Sequence, residues 1–384
     1  MRHSARSESR ALSIADEGIV FAGTRGTATQ SCAFAQPCVT PKGRWLCVFR
    51  AAPTKAGTKG QRTLLTWSDD QGRSWHAPIE PFKPATVDGK PGLMRGAGLT
   101  ALNGNRVLAV VCWVDHSDPE APFFNETTEG LLDTRLFLST SEDAGETWST
   151  PRLMDTSPFT MPTPFTGPIL KLPNGALACQ FELNKHYEDR EPWRHASVLM
   201  FSTDGGLTWP RYSVVTQDPA NRIFYWDQRP LVLEDGRILS VFWTFDRERS
   251  VYLNIHARES VDAGSTWSEL WDTGVAGQPG AVFPLADGTL AMPFVDRTGA
   301  PAIKVRRSTD GARSWPQDGE LVVYSAGGSS QSEAKSSMQD AWSEMEKFSV
   351  GLPNTAPLAD GGALLVYYAG PETDVTAIHW AVIR

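Results

Sequence analysis

Along most of this chain, short apolar runs alternate with polar turns that carry glycine. Six stretches read as apolar run, turn, apolar run. They are 34–49 around Lys42-Gly43, 98–113 around Asn103-Gly104, 167–181 around Asn174-Gly175, 230–244 around Asp235-Gly236, 280–295 around Asp287-Gly288 and 353–368 around Asp360-Gly361. Asn-Gly and Asp-Gly between apolar runs predict β-hairpins, because these residues accept the positive φ of a tight turn. After each of the first five hairpins comes a further apolar run (62–67, 136–140, 197–201, 251–256, 303–307) and then a box of the form Ser-x-Asp-x-Gly-x-Thr/Ser-Trp. The clearest box is Ser141-Glu142-Asp143-Ala144-Gly145-Glu146-Thr147-Trp148; the others span 68–75, 202–209, 260–267 and 308–315, the last with Ala312 in place of Gly. Five recurrences in one chain mark repeated supersecondary units.

The box predicts a turn. Ser and Asp oxygens accept backbone N–H groups, Gly supplies positive φ, and the Trp anchors the next strand. Each unit therefore reads strand, Gly turn, strand, loop, strand, box turn, strand. The expected architecture is all-β: a six-bladed β-propeller of four-stranded antiparallel blades in one domain spanning 1–384. The sixth unit has three strands, and the run 18–23 is expected to complete it, leaving 1–16 as a flexible segment. In a four-stranded meander the first and third turns share a face. The Gly turns and boxes then lie on one side, and the long segments 51–61, 116–132, 184–195, 216–228 and 326–349 lie on the other, the last with a short helix over 336–348. Long loops on a rigid scaffold are where binding chemistry sits, so the site is expected on the face away from the boxes.

Composition narrows the function. The 384 residues carry a net charge of −8, with no basic run or stripe, which argues against nucleic-acid and membrane partners. The five cysteines (Cys32, Cys38, Cys47, Cys112, Cys179) match no zinc spacing and read as buried thiols of a reducing compartment. No signal-peptide pattern and no membrane-length apolar run are visible, so a cytoplasmic location is expected. No metal or other cofactor is expected: His186 and His195 flank an acidic loop that reads as solvated, and the boxes lack the oxygen ligands of a calcium site. The oligomeric state is left open.

The boxes, the six units and the Gly turns resemble the sialidase (neuraminidase) superfamily of Asp-box propellers, across nearly the whole chain. The resemblance implies a central funnel in which three arginines hold a substrate carboxylate, an Asp is the acid/base, and a Tyr backed by a Glu is the nucleophile. The family's first arginine stands in Phe-Arg-Ile-Pro; this chain reads Phe34-Ala35-Gln36-Pro37, with Gln36 at that place. Arg50, Arg95, Arg229, Arg247 and Arg297 are the arginines expected on the loop face, suited to anion binding by their planar fork of donors.

Glycoside hydrolysis needs two groups flanking the scissile bond. The carboxyls expected at the rim are Asp115, Glu182, Asp227, Asp246 and Asp296. Asp115 and Glu182 are the candidates for proton transfer; Asp227 and Asp246 are counted with the binding residues. Tyr225 and Tyr368 are the candidate nucleophile or stacking platform, Trp226 is a further rim aromatic that could stack on a sugar ring, and Asn354 is an inner-strand candidate. The bland alternatives are ion pairs for Asp246 and Asp296 and inter-blade packing for the aromatics. The expected function is a sialidase-like exo-glycosidase acting on a terminal acidic sugar. The alternatives are a polysaccharide lyase or neutral-sugar glycosidase on the same scaffold, and a non-catalytic carbohydrate- or protein-binding propeller.

Overall fold

The second strands of the meanders carry apolar residues on both faces, and their burial organises the molecule. A computed structural model describes residues 11–326, 340 and 347–384. Val107–Asp115, Leu177–Leu183 and Ile238–Asp246 are buried along almost their whole lengths, as strands sandwiched between neighbouring sheets must be. The outermost strand Trp271–Ala276 instead alternates between buried and solvent-facing residues, the period-two pattern of a half-covered strand. The fold is an all-β propeller.

Four sheets stand as separate antiparallel blades. The first pairs Gly92–Ala101, Val107–Asp115, Thr134–Ser141 and Arg152–Leu153; the second pairs Leu170–Lys171, Leu177–Leu183, Ala196–Ser202 and Arg211–Thr216. The third runs Ile223–Val232, Ile238–Asp246, Asn254–Ser260, Trp271–Ala276, with Val251–Tyr252 added. The fourth runs Gln278–Pro279, Leu290–Asp296, Ala302–Ser308, Leu321–Ser325, with Phe283–Pro284 added. The expectation of six separate four-stranded sheets is corrected at the chain ends. There the first meander (Ser31–Val39, Trp45–Ala52, Arg62–Ser68), the last (Val350–Pro357, Ala363–Glu372, Val375–Ile383) and the N-terminal strand Ile14–Phe21 form one seven-stranded sheet. A single parallel pairing, Ser31 with Thr376, joins the two meanders. The Thr376 hydroxyl strengthens the join, accepting from the Cys32 N–H at 2.9 Å and donating to the Cys32 carbonyl at 2.6 Å. A ring whose ends are not covalently linked has to be closed by contacts of this kind, which also cover open edges.

The completing N-terminal strand is Ile14–Phe21, antiparallel to Val375–Ile383. It starts inside the segment expected to be flexible. Residues 1–10, and most of the expected helix 336–348 with its loop 326–349, lie outside the described residues.

Hydrophobic clusters fill the seams between successive meanders, and each box Trp sits in one. Trp75 packs with the first and last meanders, Trp148 between the first and second, Trp209 between the second and third. Trp267 and Trp315 repeat the arrangement further round the ring. The box turn is held by its own polar atoms. In the clearest copy the Ser141 hydroxyl donates to Asp143 Oδ1 at 2.8 Å and accepts the Gly145 N–H at 2.8 Å, while the Thr147 N–H and hydroxyl donate to the two Asp143 oxygens at 2.9 and 2.5 Å. The degenerate box keeps this geometry. Ala312 adopts φ 71° and donates its N–H to Ser308 Oγ at 2.9 Å.

Two predictions follow from the boxes. Gly72 has φ +87°, and a Cβ there would lie 2.6 Å from the Trp380 ring and 2.9 Å from Trp45. Left-handed strain of about 1–2 kcal/mol adds to overpacking of about 1–3 kcal/mol, so Gly72→Ala is expected to lower the urea midpoint visibly. The second concerns acid. Donation by the Ser74 hydroxyl to Asp70, and by Thr266 to Asp262, holds these carboxyls at about 2; Thr208 pulls Asp204 well below the usual carboxylate range. A folded value below the unfolded value of about 3.9 gives stability that is present above about pH 4 and lost as pH falls toward 2. The Tm is therefore expected to fall across that window, and Asp204→Asn to flatten the fall.

Candidate functional site

Four inner strands carry a β-bulge. Ser31–Val39 is bulged between Ala33 and Gln36, Gly92–Ala101 between Met94 and Gly96, Ile223–Val232 between Trp226 and Arg229, and Val350–Pro357 between Gly351 and Asn354. Phe34, Asp227 and Leu352 occupy corresponding places in three of these bulges, all at positive φ (56°, 51° and 46°). Such backbone costs about 1–3 kcal/mol per residue and clusters at functional sites. A bulge re-aims the side chains that follow it. Here Phe34 and Gln36, Arg95, Asp227 and Arg229, and Leu352 and Asn354 all line one central cavity of about 290 Å³.

Second strands and loops complete the wall. Glu182, Trp243 and Tyr368 come from second strands and Arg297 directly follows one; Lys55, Phe123, Phe124, Trp193 and Phe348 come from the long segments. The 116–132 segment contains a small ribbon, Phe124–Asn125 with Gly130–Leu131, and docks on the 184–195 segment through Leu131 N–H to the Lys185 carbonyl at 3.0 Å. No box residue lines the cavity among the described residues, so loops and boxes are separated as the meander geometry requires.

The polar network is continuous. Asp227 accepts from Gln278 Nε2 at 2.5 Å and lies 3.5 Å from Arg229 Nη2. Gln278 in turn accepts from Arg297 Nη1 at 2.8 Å, and the Arg297 guanidinium lies 3.8 Å from the Phe348 ring centroid. Arg229 also donates to the Thr166 and Pro279 carbonyls, tying neighbouring meanders together. Arg95 donates to Gln61 Oε1 at 3.2 Å and sits 4.1 Å from the Phe123 centroid. Asn354 is buried and donates to the Ala35 carbonyl at 2.9 Å. Glu182 Oε1 accepts the Gln228 N–H at 3.3 Å. Tyr368 is almost fully buried on the floor; burial pushes its phenol up to about 12, against the opposing pull of Arg297 and Arg50. Its neighbour Tyr367 points the other way and stacks on His379 at 5.3 Å.

Six expected residues do not line the cavity. Asp115 is paired with Lys90 at 2.8 Å and caps its own turn through Ser117, which holds it below the usual carboxylate range despite partial burial. Tyr225 packs between meanders, edge-on to Phe242 and His256; the alternation of the strand sends Trp226 inward instead. Asp246 is clamped by Arg222 at 2.7 Å, and Arg247 reaches Glu129 at 2.5 Å. Asp296, weighed as a rim carboxyl, binds Lys304 at 2.8 Å. Arg50 is completely buried, with its Cζ 5.8 Å from the Phe34 ring centroid; it donates to the Thr54 and Lys55 carbonyls, shaping the turn that presents Lys55.

Lys55, Phe34, Trp193 and Gln278 were not singled out from the sequence. A signal for Gln278 exists: Gln36-Pro37, Arg229-Pro230 and Gln278-Pro279 share a polar residue before proline, and proline is tolerated on the inner strand because that strand is a sheet edge. Among the described residues, no group of three His, Cys, Asp or Glu side chains is arranged to hold a metal ion, and no helix is long and apolar enough to cross a membrane. The five cysteines are free and buried.

The repeat pattern and the ring of sheets agree with a match of residues 122–322 to the BNR repeat-like domain. The chain belongs to the BNR repeat-like domain family. Among solved structures, this family member resembles a protein of unknown function from Dyadobacter fermentans (TM-score 0.72, 18% identity, 97% of this chain and 99% of that one). It also resembles the Hadza microbial sialidase Hz136 (TM-score 0.64, 14% identity, 92% of this chain and 66% of that one). A third is the Trypanosoma rangeli sialidase in complex with 2,3-difluorosialic acid as a covalent intermediate (TM-score 0.62, 13% identity, 97% of this chain and 59% of that one). The BNR-repeat chain thus spans less than two thirds of the two sialidases' lengths. At these identities the likeness establishes the sialidase-type fold. No curated protein matches the chain.

Proposed function

We propose that the protein is a sialidase-like glycoside hydrolase that takes a terminal acidic sugar in the central cavity of a six-bladed ring. Six blades are supported by the single-residue join in the seven-stranded sheet, which separates a meander of three strands from one of four. The substrate class rests on one observation. Four cationic side chains (Lys55, Arg95, Arg229, Arg297) share the cavity with two carboxylates (Glu182, Asp227), in a chain of net charge −8. Cations gathered in a low-dielectric cleft of an acidic protein select an anion. The aromatic wall of Phe123, Phe124, Trp193 and Trp226 suits the apolar face of a sugar ring.

In this reading Arg95, Arg229 and Arg297 bind the carboxylate, with Gln36 and Asn354 as neutral partners at the places the bulges create. Glu182, on an otherwise apolar wall, handles the proton. Asp227 orients Arg229 and Gln278. Tyr368 lies at the floor, and its phenol becomes a nucleophile only if its proton is removed during the step, because burial opposes the phenolate. That same burial, with Gln36 in place of an arginine, favours a binding propeller as the second reading.

Turnover of a panel of acidic and neutral glycosides decides between them. Release of a saturated acidic sugar is the expected result. An unsaturated product absorbing in the ultraviolet marks a lyase; saturable binding without turnover marks the second reading; hydrolysis of neutral glycosides alone refutes the acidic substrate.

A further inference from the structure

Behind Glu182 lies a second titratable group that the cavity does not use. His195, at the end of the 184–195 segment, is 3% exposed, and its Nε2 lies 3.5 Å from Glu182 Oε2. Two aromatic neighbours restrain the ring: it stacks on Phe224 at 5.3 Å and 27°, and meets Trp193 edge-on at 5.9 Å and 71°. Nε2 is buried and makes no hydrogen bond. The 3.5 Å contact is therefore longer than a formed hydrogen bond, and Glu182 is the acceptor toward which the nitrogen is directed. The other carboxylate oxygen is already taken by the Gln228 N–H.

We propose that His195 is a positioning residue for Glu182, aiming the carboxyl at the cavity and sharing its proton. This rests on the reading of Glu182 as the proton-handling group. A buried imidazole nitrogen needs a partner, and catalytic hydrogen bonds that are long in the ligand-free protein tighten when substrate excludes water. The charged groups on the elements packed around the pair are few. Asp227 and Arg229 stand on the adjoining inner strand and are paired with each other; Arg247 lies 5.6 Å from the Phe224 centroid; Lys185 directs its Nζ to the Glu191 carbonyl. None of these contacts closes the gap between His195 and Glu182.

The test uses His195→Leu, which keeps bulk without a donor, and His195→Gln, which keeps an N–H near Nε2 but does not titrate. His195→Leu is expected to lower kcat about tenfold to hundredfold, the usual effect of losing a group that orients a reactive one, with KM little changed and one limb of the pH–kcat profile displaced. His195→Gln is expected to recover most of kcat while keeping the displaced limb. A full-rate His195→Leu enzyme with an unchanged profile, in a background where Glu182→Gln is inactive, overturns the proposal and leaves His195 as packing. A fully active Glu182→Gln enzyme instead overturns the reading of Glu182. If no glycoside is turned over, nitrogen-15 NMR of the imidazoles replaces kinetics. The His195 Nε2 signal is expected to move in Glu182→Leu, and an unmoved signal in a folded variant refutes the contact.

Discussion

Replacing Glu182 by Gln is expected to lower kcat about 10²–10⁴-fold on whichever acidic glycoside the protein turns over, the usual contribution of a positioned general acid or base. The substitution is close to isosteric. The amide oxygen still accepts the Gln228 N–H that now reaches Glu182 at 3.3 Å, so the wall keeps its shape and KM is expected to stay near its original value. Only the proton is lost. Steady-state kinetics with a melting curve as control measure this directly. An unchanged kcat in a folded variant removes Glu182 from the mechanism and leaves Asp227 as the only other carboxylate lining the cavity among the described residues.

Arg229→Ala is expected to act on both binding and stability. Arg229 is 5% exposed, lies 3.5 Å from Asp227, and donates to the Thr166 and Pro279 carbonyls of two other meanders. Breaking a buried ion pair by removing one partner costs about 3–5 kcal/mol, because the remaining charge is left uncompensated. Asp227 is partly solvated and also bonded to Gln278, which points to the lower end of that range. The expected results are a Tm lowered by several degrees and a kcat/KM lowered on the order of a hundredfold, consistent with losing about 3 kcal/mol of charged interaction. Arg229→Lys is expected to recover little of either, since an ammonium cannot reach three acceptors with the planar fork of a guanidinium. A variant that binds and turns over acidic sugar normally while melting early makes Arg229 a clip between inner strands and nothing more.

The residues that were legible and those that were not differ in one physical respect. The box is a local object. Ser141, Asp143, Gly145 and Thr147 bond to one another within a single turn, so the same few residue types announce the same turn wherever they recur. Even Ala312 in the degenerate copy keeps the geometry. The hairpins are local for the same reason. Glu182, Asp227, Arg95, Arg229 and Arg297 were named from their places on the loop face, and Gln36, Asn354 and Tyr368 in following the family resemblance; all line the cavity.

Asp115, Asp246 and Asp296 end second strands just as Glu182 nearly does, yet Lys90, Arg222 and Lys304 claim them. Nothing within the strands distinguishes these cases, because the claiming residues come from other segments. Tyr225 against Trp226 is a question of which face a residue takes. Alternation answers it only when the register is known, and a β-bulge resets the register. His195 was visible only as a histidine beside an acidic loop, and its partner became apparent once Leu177–Leu183 and Ala196–Ser202 were paired.

The sequence by itself determined the repeating strand-and-turn units, the side of the ring that carries the long loops, and the set of ionisable residues available there. Those follow from hydrogen bonds and apolar alternation over a few residues. Only the tertiary structure decided that the first and last meanders share a sheet, which carboxyls are spent on ion pairs, and that bulged inner strands, second strands and a long segment bring cations from distant parts of the chain around one cavity. Each of those outcomes depends on which segments become neighbours when the ring closes, and burial between segments far apart in the chain decides that.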